Sequence, residues 1–255
     1  MKIAVITGAS SGMGRAFAKE LDRRESFDEI WLIARRLDRL TELGNELRAP
    51  VRPLALDLCK RESIEAYAAL LRAQKPTIRY LVNGSGFGLF QPFENGTLDT
   101  YRQMIDLNCM AMIALSHHSL PYMEQGSRIL NICSVAGFEP VPYINVYAAT
   151  KAFAVSHTRA LNVEWAPRGI RALAVCPFWT KTEFFDRAKT DDTVTYYSRF
   201  TTSEQVVACA FRDLKRGRDV SIAGGMNRVE HLLIKLLPHR LVMWIWCKQQ
   251  KKPFA

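Results

Sequence analysis

Short runs dense in valine, isoleucine and leucine recur along the chain, separated by longer stretches in which apolar positions return every three or four residues. The first kind of run suits a strand buried on both faces, and the second suits a helix with one apolar side. The pattern predicts strands over 2–6, 29–34, 51–56, 78–82, 128–132, 170–175 and 219–222, and helices over 12–24, 36–47, 61–73, 98–124, 146–165 and 203–215. Strict alternation of the two implies βαβ units. The expected class is therefore α/β, a doubly wound seven-stranded parallel sheet with helices on both faces. In such a sheet ligands sit beyond the carboxyl ends of the strands, so the chemistry is expected just after each one.

Composition narrows this reading only slightly. At 255 residues, with 48% apolar and 24% charged residues, the chain can bury a large core as one domain. No internal repeat or Gly/Ser linker divides it. We expect a single domain over 1–227, with a substrate lid at about 183–202, followed by an amphipathic helical extension over 228–255. The six cysteines are scattered without CxxC pairs or zinc spacing, so no metal site is expected and a reduced cytoplasmic location fits. Met1 and Lys2 lead straight into the first strand rather than into a signal sequence. The net charge of +10 is dispersed except for a Lys248 to Lys252 tail, and no nucleic-acid partner is inferred from it.

Strand 1 runs into Thr7-Gly8-Ala9-Ser10-Ser11-Gly12-Met13-Gly14 at the start of a helix. Glycines permit a tight turn and close approach of backbone N–H groups to a pyrophosphate, and the helix N-terminus favours negative charge. Strand 2 ends in Ala34-Arg35-Arg36, where an acidic residue would grip the free 2′-hydroxyl of NAD. Two guanidiniums suit a 2′-phosphate instead, so NADP(H) is expected, with NAD(H) the alternative if Arg35 and Arg36 are bystanders.

Ser134 ends strand 5, and Tyr147 and Lys151 follow one helical turn apart. Reducing a carbonyl needs a hydride on carbon and a proton on oxygen. A phenol with pKa near 10 serves as acid or base only when its anion is stabilised. Lys151 and an oxidised nicotinamide, both positive, are expected to depress the Tyr147 pKa, while Ser134 orients the substrate oxygen.

The Gly-x3-Gly-x-Gly turn together with Ser-x12-Tyr-x3-Lys resembles the short-chain dehydrogenase/reductase family, and the resemblance runs from Thr7 through at least Thr182. It implies a Rossmann-like fold, a nicotinamide cofactor (bound through Gly8, Ser10, Ser11, Gly12, Met13 and Gly14 at the turn), a small-molecule carbonyl or alcohol substrate and a homodimer or homotetramer. It also implies that Asp57 and Leu58 hold the adenine, that Asn83, Gly84 and Ser85 form the turn along the cofactor ribose, that Lys151 bonds the nicotinamide ribose, and that Asn108 supports a proton relay behind Lys151. Pro177, Thr180 and Thr182 map onto the nicotinamide contacts. The sequence departs from the pattern at Gly84 and Ser85, and at Phe178, which stands where the family usually has glycine and adds bulk beside the nicotinamide.

Ten aromatic residues, Phe87, Phe90, Phe93, Phe138, Tyr143, Phe184, Phe185, Tyr196, Tyr197 and Phe200, fall in segments expected to surround the strand ends. They suit a bulky apolar carbonyl such as a steroid, acyl or aromatic ketone, with ordinary lid packing as the bland alternative. The segment 228–252 mixes leucine and tryptophan with basic residues and is broken by Pro238, so it cannot span a bilayer. Packing over the active site, contact with a subunit partner and peripheral membrane contact all stay open for it. Two readings outside the enzyme class are a nucleotide-sensing protein without catalysis and a membrane-surface or nucleic-acid binder.

Overall fold

The computed structural model describes residues 1–189 and 191–254. Thr190, inside the expected lid, and Ala255, at the end of the expected extension, lie outside the described residues. The strands are β1 (Lys2–Thr7), β2 (Glu29–Ala34), β3 (Val51–Ala55), β4 (Thr77–Asn83), β5 (Arg128–Ile132), β6 (Arg171–Val175) and β7 (Val220–Ser221). They form one sheet in the order β3-β2-β1-β4-β5-β6-β7, and every pair is parallel. Strand order reverses between β1 and β4, which opens the crevice at their carboxyl ends.

Alternation along each strand divides the core. Ala4, Ile6, Ile30 and Leu32 face one layer, where they meet Phe17 and Leu21 of α1 (Gly12–Arg24), Leu40 and Leu43 of α2 (Leu37–Gly44), and Val207 and Phe211 of α8 (Ser203–Lys215). Ile3, Val5, Trp31 and Ile33 face the other. They meet Tyr67 and Leu71 of α3 (Arg61–Gln74), Leu115 of α5 (Ala111–Ser119) and Leu161 of α6 (Asn145–Glu164). Each fully buried aliphatic side chain here contributes about 1.5–3 kcal/mol relative to exposure. The strands are apolar on both faces because both faces are covered.

The expected helix over 98–124 is instead broken. It comprises α4 (Leu98–Ile105), a π-helical turn over Asp106–Met110, α5, and a short 3-10 turn over Leu120–Tyr122. Thr97 caps α4 by accepting a hydrogen bond from the Thr100 backbone N–H. Pro121 brings the α-helical run to its end, since it has no N–H to donate. No residue type marks the π turn, whose wider coil turns Asn108 into the protein.

The C-terminal extension also differs from expectation. It starts at Gly225, three residues before the expected boundary at 228, and it is two helices, α9 (Gly225–Leu236) and α10 (His239–Gln249), parted at Pro238. None of the described helices is long and apolar enough to cross a membrane. The described residues contain no group of three or more His, Cys, Asp or Glu side chains able to hold a metal ion.

The start of α9 is fastened to the sheet edge through Asp213 on α8, a fully buried carboxylate. Asp213 pairs with Arg218 at 3.3 Å and Arg228 at 3.2 Å and accepts a hydrogen bond from Ser221 at 2.9 Å. Replacing Asp213 with alanine strands Ser221 and unpairs two half-exposed arginines. Urea denaturation of Asp213→Ala is expected to show a loss of about 1–3 kcal/mol in unfolding free energy, with a larger loss of protease resistance in α9 and α10 than in α1.

Candidate active site

The crevice is built from the turn after β1 outward. Gly8 and Gly12 have φ of +66° and +52°, a left-handed conformation open to glycine and costly for other residues. The turn packs tightly on the one after β4: a Cβ at Gly8 would stand 2.6 Å from the Gly84 carbonyl oxygen. Thr7 completes the join, its hydroxyl accepting hydrogen bonds from the Gly84 and Ser85 backbone N–H groups at 2.9 and 3.1 Å. Thr7 opens the glycine-turn motif and was not among the expected site residues. Ser11 caps α1 with extended backbone and makes no side-chain cap bond, and the first turn of α1 holds no acidic residue. The helix end is therefore suited to an anionic ligand.

Arg36 lies at this end of the crevice, donating to Ser10 Oγ at 3.2 Å and to the Glu183 carboxylate at 2.7 Å. A further hydrogen bond from Ser11 and the Arg36 guanidinium hold the Glu183 carboxyl below its usual pKa, with the guanidinium contact the larger cause. Glu183, just before α7 (Phe184–Ala188), thus occupies the Arg36 guanidinium expected to take a phosphate. Sequence reading could not find it, because the two partners lie 147 positions apart. Arg35 is exposed and makes no hydrogen bond or ion pair among the described residues.

After β3, Asp57 accepts a hydrogen bond from the Cys59 backbone N–H, whereas the Leu58 side chain is buried in the core beside Trp31 and Ile33. Asn83 is likewise turned inward, donating to Asn131 Oδ1 at 2.8 Å and Ser116 Oγ at 3.2 Å. It braces the central strands beneath the crevice, and its side chain does not line the main cleft.

Ser134, Tyr147 and Lys151 come together at the carboxyl end of β5. The Ser134 hydroxyl accepts from the Ala136 backbone N–H at 3.2 Å, and Ser134, Tyr147 and Lys151 all line one cleft of about 490 Å³ with Met13, Gly84 and Gly86. Gly88 leaves the room that the Tyr147 ring fills, since a Cβ there would meet Tyr147 Cδ2 at 2.7 Å. Lys151 is buried, donates to the Ile132 carbonyl at 2.7 Å, and its Nζ lies 5.6 Å from the centre of the Tyr147 ring.

Burial pushes the Tyr147 phenol above its ordinary pKa, outweighing the lowering from Ser134. Burial likewise pushes the Lys151 amine down, against the raising influence of the Cys133, Cys109 and Cys176 thiols. The expected depression of the Tyr147 pKa by Lys151 is therefore not present in the protein alone, because desolvation of the phenolate is the larger effect.

Asn108 stands behind this group with its amide fully used. It donates to the Phe87 carbonyl and to Thr150 Oγ1, and accepts from the Phe87 backbone N–H. It therefore fixes the strand β4 exit against α6. Thr150, one residue before Lys151, also takes part, and no motif in the sequence singles it out. Pro177, Thr180 and Thr182 line the cleft beyond β6, and Thr182 abuts Gly12. The Thr180 hydroxyl is spent on Phe178 O and Thr201 Oγ1, tying down both ends of the lid.

The upper wall is apolar and aromatic. Phe90, Phe184, Phe185 and Tyr196 line it as expected, joined by Phe178, Trp179 and Trp246. Phe87 is buried beneath Arg187, Phe93 stacks on Tyr101 outside the cleft, and Phe138, Tyr143, Tyr197 and Phe200 pack behind the wall. The extension completes the enclosure. Trp246 donates to the Pro142 carbonyl, and Gln250 holds the lid by accepting from the Thr195 and Tyr196 backbone N–H groups and donating to the Tyr196 carbonyl. Two carboxyls, Glu139 and Glu230, also line the cleft, and burial together with their mutual repulsion pushes Glu139 up to about 7.

Residues 2–193 match the family model described as short chain dehydrogenase. Sulfoacetaldehyde reductase 2 of Chromohalobacter salexigens is 36% identical over 191 residues, which cover 71% of this chain and 74% of that protein. The very-long-chain 3-oxoacyl-CoA reductase of Rattus norvegicus is 33% identical over 190 residues, covering 71% of this chain and 60% of that one. Among solved structures, a short-chain dehydrogenase from Sphingobium yanoikuyae in complex with NADPH is similar with a TM-score of 0.79 at 30% identity, covering 91% of this chain and 92% of that chain. The match over 2–193, which takes in the glycine turn and the Ser134, Tyr147 and Lys151 cluster, identifies the chain as a member of the short-chain dehydrogenase family.

Proposed function

We propose that this chain is an NADP(H)-dependent oxidoreductase that interconverts a bulky apolar ketone or aldehyde and its alcohol. The observation that carries the reading is the convergence of Ser134, Tyr147 and Lys151 on the floor of one aromatic-walled cleft beside the glycine turn. A cleft of about 490 Å³ suits a substrate of several rings or a long acyl chain. The glycine turn, the open N-terminus of α1 and the guanidiniums of Arg35 and Arg36 fit a dinucleotide with a 2′-phosphate. When bound, the nicotinamide supplies or takes up the hydride.

In the reducing direction Tyr147 Oη gives its proton to the carbonyl oxygen. Ser134 Oγ donates a hydrogen bond to that oxygen and stabilises the charge developing on it. Lys151, anchored by the Ile132 carbonyl, faces the phenolate left behind with a positive charge in a site that excludes water. Asn108 and Thr150 hold the backbone on either side of this group and keep Lys151 in register. Phe178 and the lid aromatics seal the cleft around the apolar body of the substrate. We also read α4, α5 and α6 as the contact surface of a homodimer or homotetramer, a reading supported by the exposed Leu98 and Ile105 on α4 and Phe153 and Val163 on α6.

NAD(H) is the second reading, and the Arg36–Glu183 pair favours it, because this guanidinium already has a carboxylate partner. Both readings can be tested on purified protein with a panel of hydrophobic ketones. Tyr147→Phe is expected to lower kcat/KM by roughly 10²- to 10⁴-fold while the fluorescence titration of NADPH stays unchanged. Normal turnover by that variant removes Tyr147 from its role. Arg36→Ala is expected to weaken NADPH by about 10- to 100-fold, the loss of a charge-assisted hydrogen bond, and to leave NADH unaffected. Arg35→Asp should move the preference toward NADH, and equal kinetics with both cofactors in all three proteins would support the second reading.

A further inference from the structure

Helices α9 and α10 are apolar on two sides. Their inner stripe, which includes Leu237, Val242, Ile245 and Trp246, lines the cleft. Their outer stripe is exposed and includes Val229, Leu232 and Leu236 on α9, with Leu241 and Trp244 on α10. Leu233 belongs to both, being 52% exposed and part of the cleft wall. The outer apolar surface is therefore continuous with the mouth of the cleft. A contiguous exposed patch of this kind marks an interaction surface.

The charges around the patch indicate what covers it. Residues 225–254 contain six basic side chains, Arg228, Lys235, Arg240, Lys248, Lys251 and Lys252, against the single acidic Glu230. Glu230 lines the cleft, Arg228 bonds inward to Asp213, and the Lys235 and Lys252 ammoniums lie over the Phe138 and Tyr143 rings, which leaves Arg240, Lys248 and Lys251 exposed, Lys248 over the ring of Trp244 in the outer stripe. A second copy of the chain would bring the same positive charges against themselves across a two-fold axis. An anionic bilayer attracts them, and leucine and tryptophan beside lysine and arginine is the composition of a helix lying in a lipid interface. With 12 and 11 residues, α9 and α10 can lie on a bilayer and cannot cross it.

We propose that the outer face of α9 and α10 seats on an anionic membrane surface, which turns the cleft mouth at Leu233 toward the acyl chains. The surface lies beyond the match to the family model, which ends at residue 193, so the proposal belongs to this chain's own C-terminal residues. Its link to substrate entry rests on reading the cleft as the substrate site. Its membrane contact does not.

The test uses the full chain with phosphatidylcholine vesicles, with and without phosphatidylserine and with brominated acyl chains. Co-sedimentation is expected to be tighter by about tenfold or more on the anionic vesicles and to weaken as salt is added. Brominated chains should quench tryptophan fluorescence, and Trp244→Phe should remove most of that quenching. Leu232→Glu with Leu236→Glu should abolish sedimentation while NADPH binding is retained, which shows that the variant is folded. Equal or absent binding to both vesicle types overturns the proposal, as does quenching that persists in Trp244→Phe. A concentration-dependent dimer that the double variant breaks also overturns it, since a second copy then covers the face. Vesicle binding without turnover of any ketone would count against the enzyme reading and leave this one standing.

Discussion

A buried lysine facing a half-buried tyrosine is the constraint around which the molecule is arranged. Burial pushes the Lys151 amine down and the Tyr147 phenol up, so each group alone resists the charge that proton transfer requires. A phenolate beside an ammonium offsets much of both penalties, because the two charges face each other in low dielectric. That arrangement holds only while Lys151 stays on the Ile132 carbonyl and the Tyr147 ring stays in the space beside Gly88. The sheet order, the bridge from Asn108 to Phe87 and Thr150, and the tight join of Gly8 to Gly84 all serve to keep those distances.

The same geometry explains why the last helices of the chain matter to chemistry carried by Ser134, Tyr147 and Lys151. Removing water from the cleft strengthens every charge interaction on its floor. The lid does this from one side, and Gln250 of the C-terminal segment holds the lid from the other, while Trp246 is fixed on the Pro142 carbonyl. Arg36 and Glu183 tie the lid to the turn after β2, across the end of the crevice that suits a phosphate.

Much of this was legible in the sequence where the signal is local. Each expected strand is present within a residue or two at most ends, because runs such as Ile3 to Ile6 and Ile30 to Ile33 are apolar on both faces. Ser134, Tyr147 and Lys151 are brought together because the first ends a strand and the others lie one turn apart on α6. What could not be read depends on tertiary contact. The π turn at Asp106–Met110 carries no residue that marks it, and the inward turn of Leu58 and Asn83 follows from packing that sequence position does not reveal. The Arg36–Glu183 pair and the clasp of Gln250 on Thr195 and Tyr196 join residues far apart in the chain. The raised Tyr147 pKa of the protein alone follows from desolvation, which depends on the depth of the cleft and which sequence position does not reveal.

The central claim is that positive charge in the formed site overcomes the burial of Tyr147. Tyrosinate absorbance, recorded against pH as the difference between the wild-type protein and Tyr147→Phe, measures this directly. The account predicts no Tyr147 phenolate below the ordinary phenol pKa of about 10 in the protein alone, and a titration shifted below that value once NADP⁺ is bound. Identical curves with and without NADP⁺ would contradict it.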